Sequence, residues 1–262
     1  MARKKSAATR RAEGQAAAAR AAEIRRQQEV RERRRRTAVV SVVGLVVLVV
    51  VLTIGYIVQS SRDVTGGSAR PPEGAADTYA LPLGQDSAPV TVAVYEDFLC
   101  PFCGEFEKAS RDWLAAYAAD GTVKVRYHAV SILDGSSNGT QYSTRAANAL
   151  GVVLDTSGPA VAKRFHDLLY DDQPAEGSDG LSDDQLVDLA VQAGASKSDV
   201  ASDIDNRAFE RWVKNGTDAA TKVQGYRGTP LVLLDGKPFT DYRSMAELSA
   251  NLRKAVDQKA KG

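Results

Sequence analysis

Val90-Thr91-Val92-Ala93-Val94-Tyr95-Glu96-Asp97-Phe98-Leu99-Cys100-Pro101-Phe102-Cys103-Gly104-Glu105 is the stretch on which the reading of this chain turns. Its first six residues are β-branched or apolar and are bounded by Ala88-Pro89 and Glu96-Asp97, which predicts a buried strand. From Glu105 to Ala119, Phe106, Ala109, Trp113, Ala116 and Tyr117 recur at three- and four-residue steps, which predicts an amphipathic helix. Proline is at home in the first helical turn, so Pro101 places Cys100 at the helix N-terminus. Unpaired backbone N–H groups and the positive end of the helix dipole favour an anion there. Cys100 is therefore expected as the attacking sulfur, and Cys103, one turn further in, as the resolving one.

These are the only two cysteines in 262 residues, so neither has any other thiol to pair with. A structural disulfide gains from closing a long loop, and a two-residue gap closes almost nothing. The spacing suits exchange chemistry, in which one thiolate attacks a foreign disulfide and its neighbour resolves the mixed intermediate. A zinc site is a weaker reading, because His128 and His166 are the remaining soft ligands and neither stands at metal-ligand spacing. A cysteine protease needs one nucleophile with a base beside it, and two inert buried cysteines leave Pro101 unexplained. Thiol chemistry needs no metal and no organic cofactor.

Residues 1–36 carry 13 Lys or Arg against 4 Glu, and the run from Thr37 to Val58 holds 22 residues without a charge. At the rise of an α-helix that run reaches about 33 Å, enough to cross a bilayer. It is longer than a signal-peptide core and is followed by Gln59-Ser60-Ser61-Arg62-Asp63, so an uncleaved anchor is expected. Basic residues stay on the cytoplasmic side, which puts the tail in the cytosol and the cysteines outside. The tail's +9 leaves −8 for the remainder of a chain of net charge +1. Ala, Glu and Gln within the tail fit a solvated helix beside anionic lipid rather than a nucleic-acid binder. Residues 59–78, with Gly66-Gly67-Ser68 and Pro71-Pro72-Glu73-Gly74, read as a flexible tether.

Residues 79–262 are enough for one core. A second strand is predicted over Val123–Ile132, followed by turn residues 134–139. Helical stripes then run through Tyr142, Ala146, Ala149 and Val153; through Val161, Phe165, Leu168 and Leu169; and through Leu186, Leu189, Ala190 and Ala193. The last of these opens at the capping box Ser182-Asp183-Asp184-Gln185. Val200, Ile204, Ala208, Trp212 and Val223 continue the helical pattern. Strand character returns at Pro230–Asp235 and briefly at Lys237-Pro238-Phe239, and a last helix starts at Ser244-Met245-Ala246-Glu247. The order describes an α/β sandwich enlarged in its middle by helices.

Gly84, Ala88-Pro89-Val90, Asp97-Phe98, Cys100-Pro101-Phe102-Cys103 and Gly228-Thr229-Pro230 together resemble the DsbA-type branch of the thioredoxin superfamily, in its membrane-anchored actinobacterial form. The resemblance implies a thioredoxin-like fold with a helical subdomain inserted over about residues 140–224. It also implies an extracytoplasmic thiol:disulfide oxidoreductase that forms disulfides in exported proteins, recharged by a quinone-linked membrane partner of DsbB or VKOR type. It makes Cys100 the nucleophile, Cys103 the resolving thiol and Pro230 a cis-proline facing them, with Thr229 offering backbone groups to an extended substrate. Pro101 and Phe102 tune the pair. The most oxidising relatives carry His where Phe102 stands, so an intermediate potential is expected. A buried acid is frequent in the family at the position of Val94, which leaves Glu96 or Asp97 as candidate proton shuttles or as an ordinary surface strand end. A reductase or isomerase using the same site, and a tethered binding module or chaperone with incidental cysteines, are the alternative readings.

Overall fold

The computed structural model describes residues 69–261; the basic tail, the apolar run 37–58 and most of the tether lie outside them. A five-stranded sheet has the order β1-β3-β2-β4-β5. It comprises β1 (Leu81–Leu83), β2 (Val90–Glu96), β3 (Val123–Ala129), β4 (Leu231–Leu234) and β5 (Lys237–Pro238). β2 and β3 run parallel, with Val94 opposite Tyr127, and helix α1 (Pro101–Ala119) makes the crossover between them. The remaining pairings are antiparallel. β2 lies at the centre and aims its C-terminal end, Glu96, at the start of α1. All four residues of β4 are buried, so both of its faces are covered.

Helix α6 (Met245–Ala260) packs beside α1, where Trp113 Nε1 donates to Ser249 Oγ at 2.9 Å and Ser249 Oγ to the Ala109 carbonyl at 2.8 Å. The buried stripe of α1 is rotated from the expected one. Cys103, Phe106, Glu107, Ser110, Trp113 and Leu114 point inward, whereas Ala109 and Ala116 face solvent. Polar Glu107 and Ser110 hide this stripe from a hydrophobicity count. They are tolerated inside because each has partners: Ser110 Oγ donates to the Phe106 carbonyl at 2.7 Å and Glu107 meets Arg111 and Lys163.

Between β3 and β4 come α2 (Tyr142–Asp171), α3 (Asp183–Ala193), α4 (Lys197–Asp205) and α5 (Glu210–Ala220). α2 is broken at Gly158, whose φ of 78° and ψ of 173° are not helical, just before Pro159, and this break separates the two predicted stripes. The capping box of α3 forms as expected, with Ser182 and Gln185 bonding each other's backbone N–H groups. Ala208 and Val223 are not core residues; Phe209 takes the buried place. Buried Asn148 satisfies the join between α4 and α5, accepting from Phe209 N at 2.7 Å and donating to the Ile204 carbonyl at 3.3 Å.

Three local expectations change. β3 ends at Ala129 rather than Ile132, because Ser131 N turns away to Thr217 Oγ1 at 3.0 Å. β1 has no counterpart in the sequence reading: it is three residues long, contains Pro82, and sits at the sheet edge where a missing N–H is harmless. Residues 69–78 are pinned rather than free. Glu73 N and Arg70 Nη2 both bond the Asp155 carboxylate, at 2.7 and 2.8 Å, and the Thr78 carbonyl accepts from Trp212 Nε1 at 2.7 Å.

Candidate active site

α1 starts at Pro101 with Cys100 as its N-cap residue (φ −75°, ψ 116°) and no side-chain cap. The Cys100 carbonyl accepts from Cys103 N at 3.1 Å and Gly104 N at 3.2 Å, so the helix is wound immediately behind the first sulfur. Both cysteines are free thiols. They are almost equally buried, 4% exposed for Cys100 and 1% for Cys103, whereas Phe102 between them is 58% exposed.

Across from them Thr229-Pro230 is a cis peptide, and the Cys100 thiol donates to the Thr229 carbonyl at 3.4 Å. A groove of about 580 Å³ beside this peptide is lined by Thr229, Pro230, Gly225, Phe239 and Tyr242. Cys100, Cys103, Pro101, Phe102, Thr229 and Pro230 are thus brought to one end of the sheet from positions more than a hundred residues apart.

The two thiols titrate in opposite directions. A hydrogen bond from the Cys103 side chain, helped by the Thr229 side chain and the Cys103 and Phe102 N–H groups, brings Cys100 down to about 6 against the cost of burial. Burial, the Cys100 sulfur and the nearby Glu96 carboxylate push Cys103 well up. A thiolate is therefore held at the mouth and a proton one turn below it.

Glu96 and Asp97 are not a surface strand end; both are buried. Asp97 is occupied. Its Oδ1 accepts from Leu99 N at 2.9 Å and Ser143 Oγ at 2.6 Å, its Oδ2 from Leu133 N at 3.0 Å, and burial still raises it to about 6. Glu96 Oε1 lies 2.6 Å from His166 Nε2 on α2, and Glu96 Oε2 has no partner. His166 also faces Asp167 at 3.2 Å and Glu107 at 3.7 Å. Burial opposes its charge, yet the Glu96 and Glu107 carboxylates raise it to about 9. Burial drives Glu96 upward against the pull of His166. With three carboxylates facing it against burial and Lys163, the proton belongs on His166. Lys163 Nζ reaches Glu107 at 3.4 Å and also pairs with Asp167, and Arg111 meets both acids.

Among the described residues, Glu96, Glu107 and His166 form the group whose ligand atoms lie close enough for a metal, all within 4.8 Å. Lys163, Arg111 and protonated His166 already balance Glu96, Glu107 and Asp167, which leaves a cation little to gain. The histidines weighed as zinc ligands are otherwise engaged: His166 here, and His128 stacked on Tyr95 with ring centroids 4.3 Å apart. Sequence reasoning missed Glu107, Lys163 and Gln173, and it considered His166 only as a ligand. The available signal was a charged residue, Glu107, one turn after Cys103 on the same face of α1.

A sequence profile of the family described as Thioredoxin matches residues 77–254. The chain belongs to the thioredoxin family. Within it, the domain is a DsbA-like thiol:disulfide oxidoreductase acting through its cysteine pair. The solved reduced form of the disulfide bond oxidoreductase DsbG from Mycobacterium tuberculosis is 30% identical, with a TM-score of 0.58 over 71% of this chain and 95% of that one. Oxidised DsbA from the same organism is 28% identical, with a TM-score of 0.57 over 70% of this chain and 98% of that one. The serine/threonine-protein kinase PknE of M. tuberculosis is 29% identical over 172 residues, 64% of this chain; the chain spans 30% of that kinase.

Proposed function

We propose that this thioredoxin-family domain is held outside the cytoplasmic membrane by residues 37–58 and oxidises cysteines of exported proteins. The observation that carries this reading is the geometry of the pair, with Cys100 at the opening of α1 and its sulfur 3.4 Å from the carbonyl of the cis Thr229-Pro230 peptide; in that setting Cys100 is lowered to about 6 and Cys103 raised. An oxidant must stabilise its own reduced form, and a thiolate held by hydrogen bonds does so.

A substrate thiolate attacks Cys100 Sγ of the disulfide; the S–S bond breaks and its electron pair leaves on Cys103, which takes up a proton. A second substrate thiolate attacks the substrate sulfur of the mixed disulfide and expels Cys100 as a thiolate. The substrate loses two electrons and the pair gains them. Thr229 presents the backbone that aligns an extended substrate beside Pro230. We assign the relay of a proton from solvent to Cys103 to the Glu96 carboxylate, whose Oε2 is unengaged, and give Asp97 the role of a clamp because three donors occupy it. A quinone-linked membrane protein of DsbB or VKOR type accepts the electrons.

Redox equilibrium of the full chain with glutathione tests the direction. The expected potential lies between about −270 mV, the thioredoxin value, and about −120 mV, that of the strongest DsbA oxidant. A value at the thioredoxin end sinks the oxidase reading in favour of a reductase. Cys103→Ser should accumulate mixed disulfides with exported proteins; a variant that traps none points to a binding module instead.

A further inference from the structure

The inserted helices reach the cysteine pair through Gln173, in the loop that follows α2. Its Nε2 donates to the Cys100 carbonyl at 2.9 Å and to the Phe98 carbonyl at 3.1 Å. Two carbonyls can be met only by the NH2 end of the amide, so its orientation is fixed by chemistry. Its own backbone is tied back to the helix, with Gln173 N donating to the Tyr170 carbonyl at 3.4 Å. From the other side Asp97 holds the same short segment: its carboxylate takes Leu99 N at 2.9 Å and its carbonyl takes Cys100 N at 2.9 Å. Residues 98–100 are therefore gripped by the sheet through their N–H groups and by the insertion through their carbonyls.

The grip bears on the reaction because the Cys100 carbonyl also accepts the first two bonds of α1, from Cys103 N and Gly104 N. Its direction sets where the Phe102 and Cys103 N–H groups point, and these are among the donors to the Cys100 sulfur. A second observation agrees. A Cβ on Gly104 would lie 2.2 Å from Gln173 Oε1, so the glycine leaves room for this amide and any side chain there would force it to shift.

We infer that Gln173 is a positioning residue through which the helical insertion fixes the first turn of α1 and thereby the reactivity of Cys100. The inference rests on the reading of Cys100 as the attacking thiol. It assigns the insertion a part in the chemistry rather than only in substrate reach.

The full chain is tested as Gln173→Ala, Gly104→Ala and the double variant, following the thiolate absorbance of Cys100 against pH, the glutathione equilibrium and the thermal midpoint. Gln173→Ala should raise the Cys100 pKa by about one unit and weaken the protein as an oxidant by up to about tenfold. Gly104→Ala improves helix propensity and leaves Gln173 in the sequence, yet it expels the amide and should give the same shift. The double variant should go no further than either single one, since both remove one contact. A lowered midpoint with an unchanged Cys100 profile in both single variants makes Gln173 structural only and overturns the inference. Should Gln173→Ala fail to fold, Gly104→Ala decides the matter alone. A wild-type Cys100 titrating near the free-cysteine value of about 8.5 would remove the reading beneath it and the inference together.

Discussion

The mouth and the floor of this site hold chemically identical thiols one helical turn apart and treat them oppositely. Both residues are nearly buried, with Cys103 the deeper of the two. What differs is depth and company: hydrogen-bond donors converge on Cys100 and outweigh its burial, whereas Cys103 is raised first by burial and then by its partner sulfur and the Glu96 carboxylate. Burial alone raises a thiol, and only donors aimed at the sulfur reverse that sign. The contrast teaches that depth keeps the proton on Cys103, while the direction of a few N–H, O–H and S–H groups takes it off Cys100.

The largest effect expected is from Cys100→Ser. Disulfide exchange with a reduced unfolded client should fall to the uncatalysed background while circular dichroism stays native; residual turnover through Cys103 would erase the distinction between mouth and floor. Next comes the floor itself. His166→Gln keeps a hydrogen bond to Glu96 but removes the buried charge, at a cost of about 3 kcal/mol in denaturant unfolding. The sign follows from linkage: His166 is raised from 6.5 to about 9, so its contribution is complete below about 6.5 and lost as pH rises through about 9. Cys100, lowered to about 6, contributes in the opposite sense over the same interval, gaining as pH rises. The measurement therefore uses the oxidised protein, where neither thiol titrates. Wild type should lose stability from pH 6.5 to 9 and the variant should not; equal slopes would mean that the proton is not on His166.

A sharper division of the mouth comes from Cys103→Ala, which removes the foremost donor to Cys100 and should raise its pKa by about one unit, read from thiolate absorbance. Cys103→Ser retains a hydroxyl donor and should raise it less. The smallest effect is expected at Phe102, exposed and uncharged. Phe102→His should lower the Cys100 pKa by a few tenths of a unit and shift the glutathione equilibrium about twofold toward a stronger oxidant, with no change in unfolding midpoint.

The strand, turn and helix around the cysteines were legible because each rule involved is local: β-branched residues for β2, proline in the first turn of α1, and a capping box at Ser182 for α3. The stripe of α1 was misread for the same reason. Ala109 and Ala116 count as apolar and Glu107 and Ser110 do not, yet ion pairing and a backbone bond put the polar pair inside. β1 is invisible as a propensity, since Leu81-Pro82-Leu83 becomes a strand only by pairing with Val125–Tyr127. Pro71-Pro72-Glu73-Gly74 reads as a linker in composition and is held only because Asp155 happens to lie within reach. In the site, Cys100, Cys103 and the cis Thr229-Pro230 were anticipated, whereas His166 and Gln173 were not, because nothing near them in the chain marks them out.

The amino acids in order were enough to set two sulfurs at the opening of a helix behind a buried strand and to place helices between the halves of the sheet. The folded molecule alone decided what holds each buried acid and what faces the first sulfur, since Glu96 meets His166 70 residues away and Cys100 meets Thr229 129 residues away. Periodicity and capping act across a single turn, within a few residues of their cause. Contacts over such separations depend on the path of the whole backbone, and no repeating pattern in the sequence records that path.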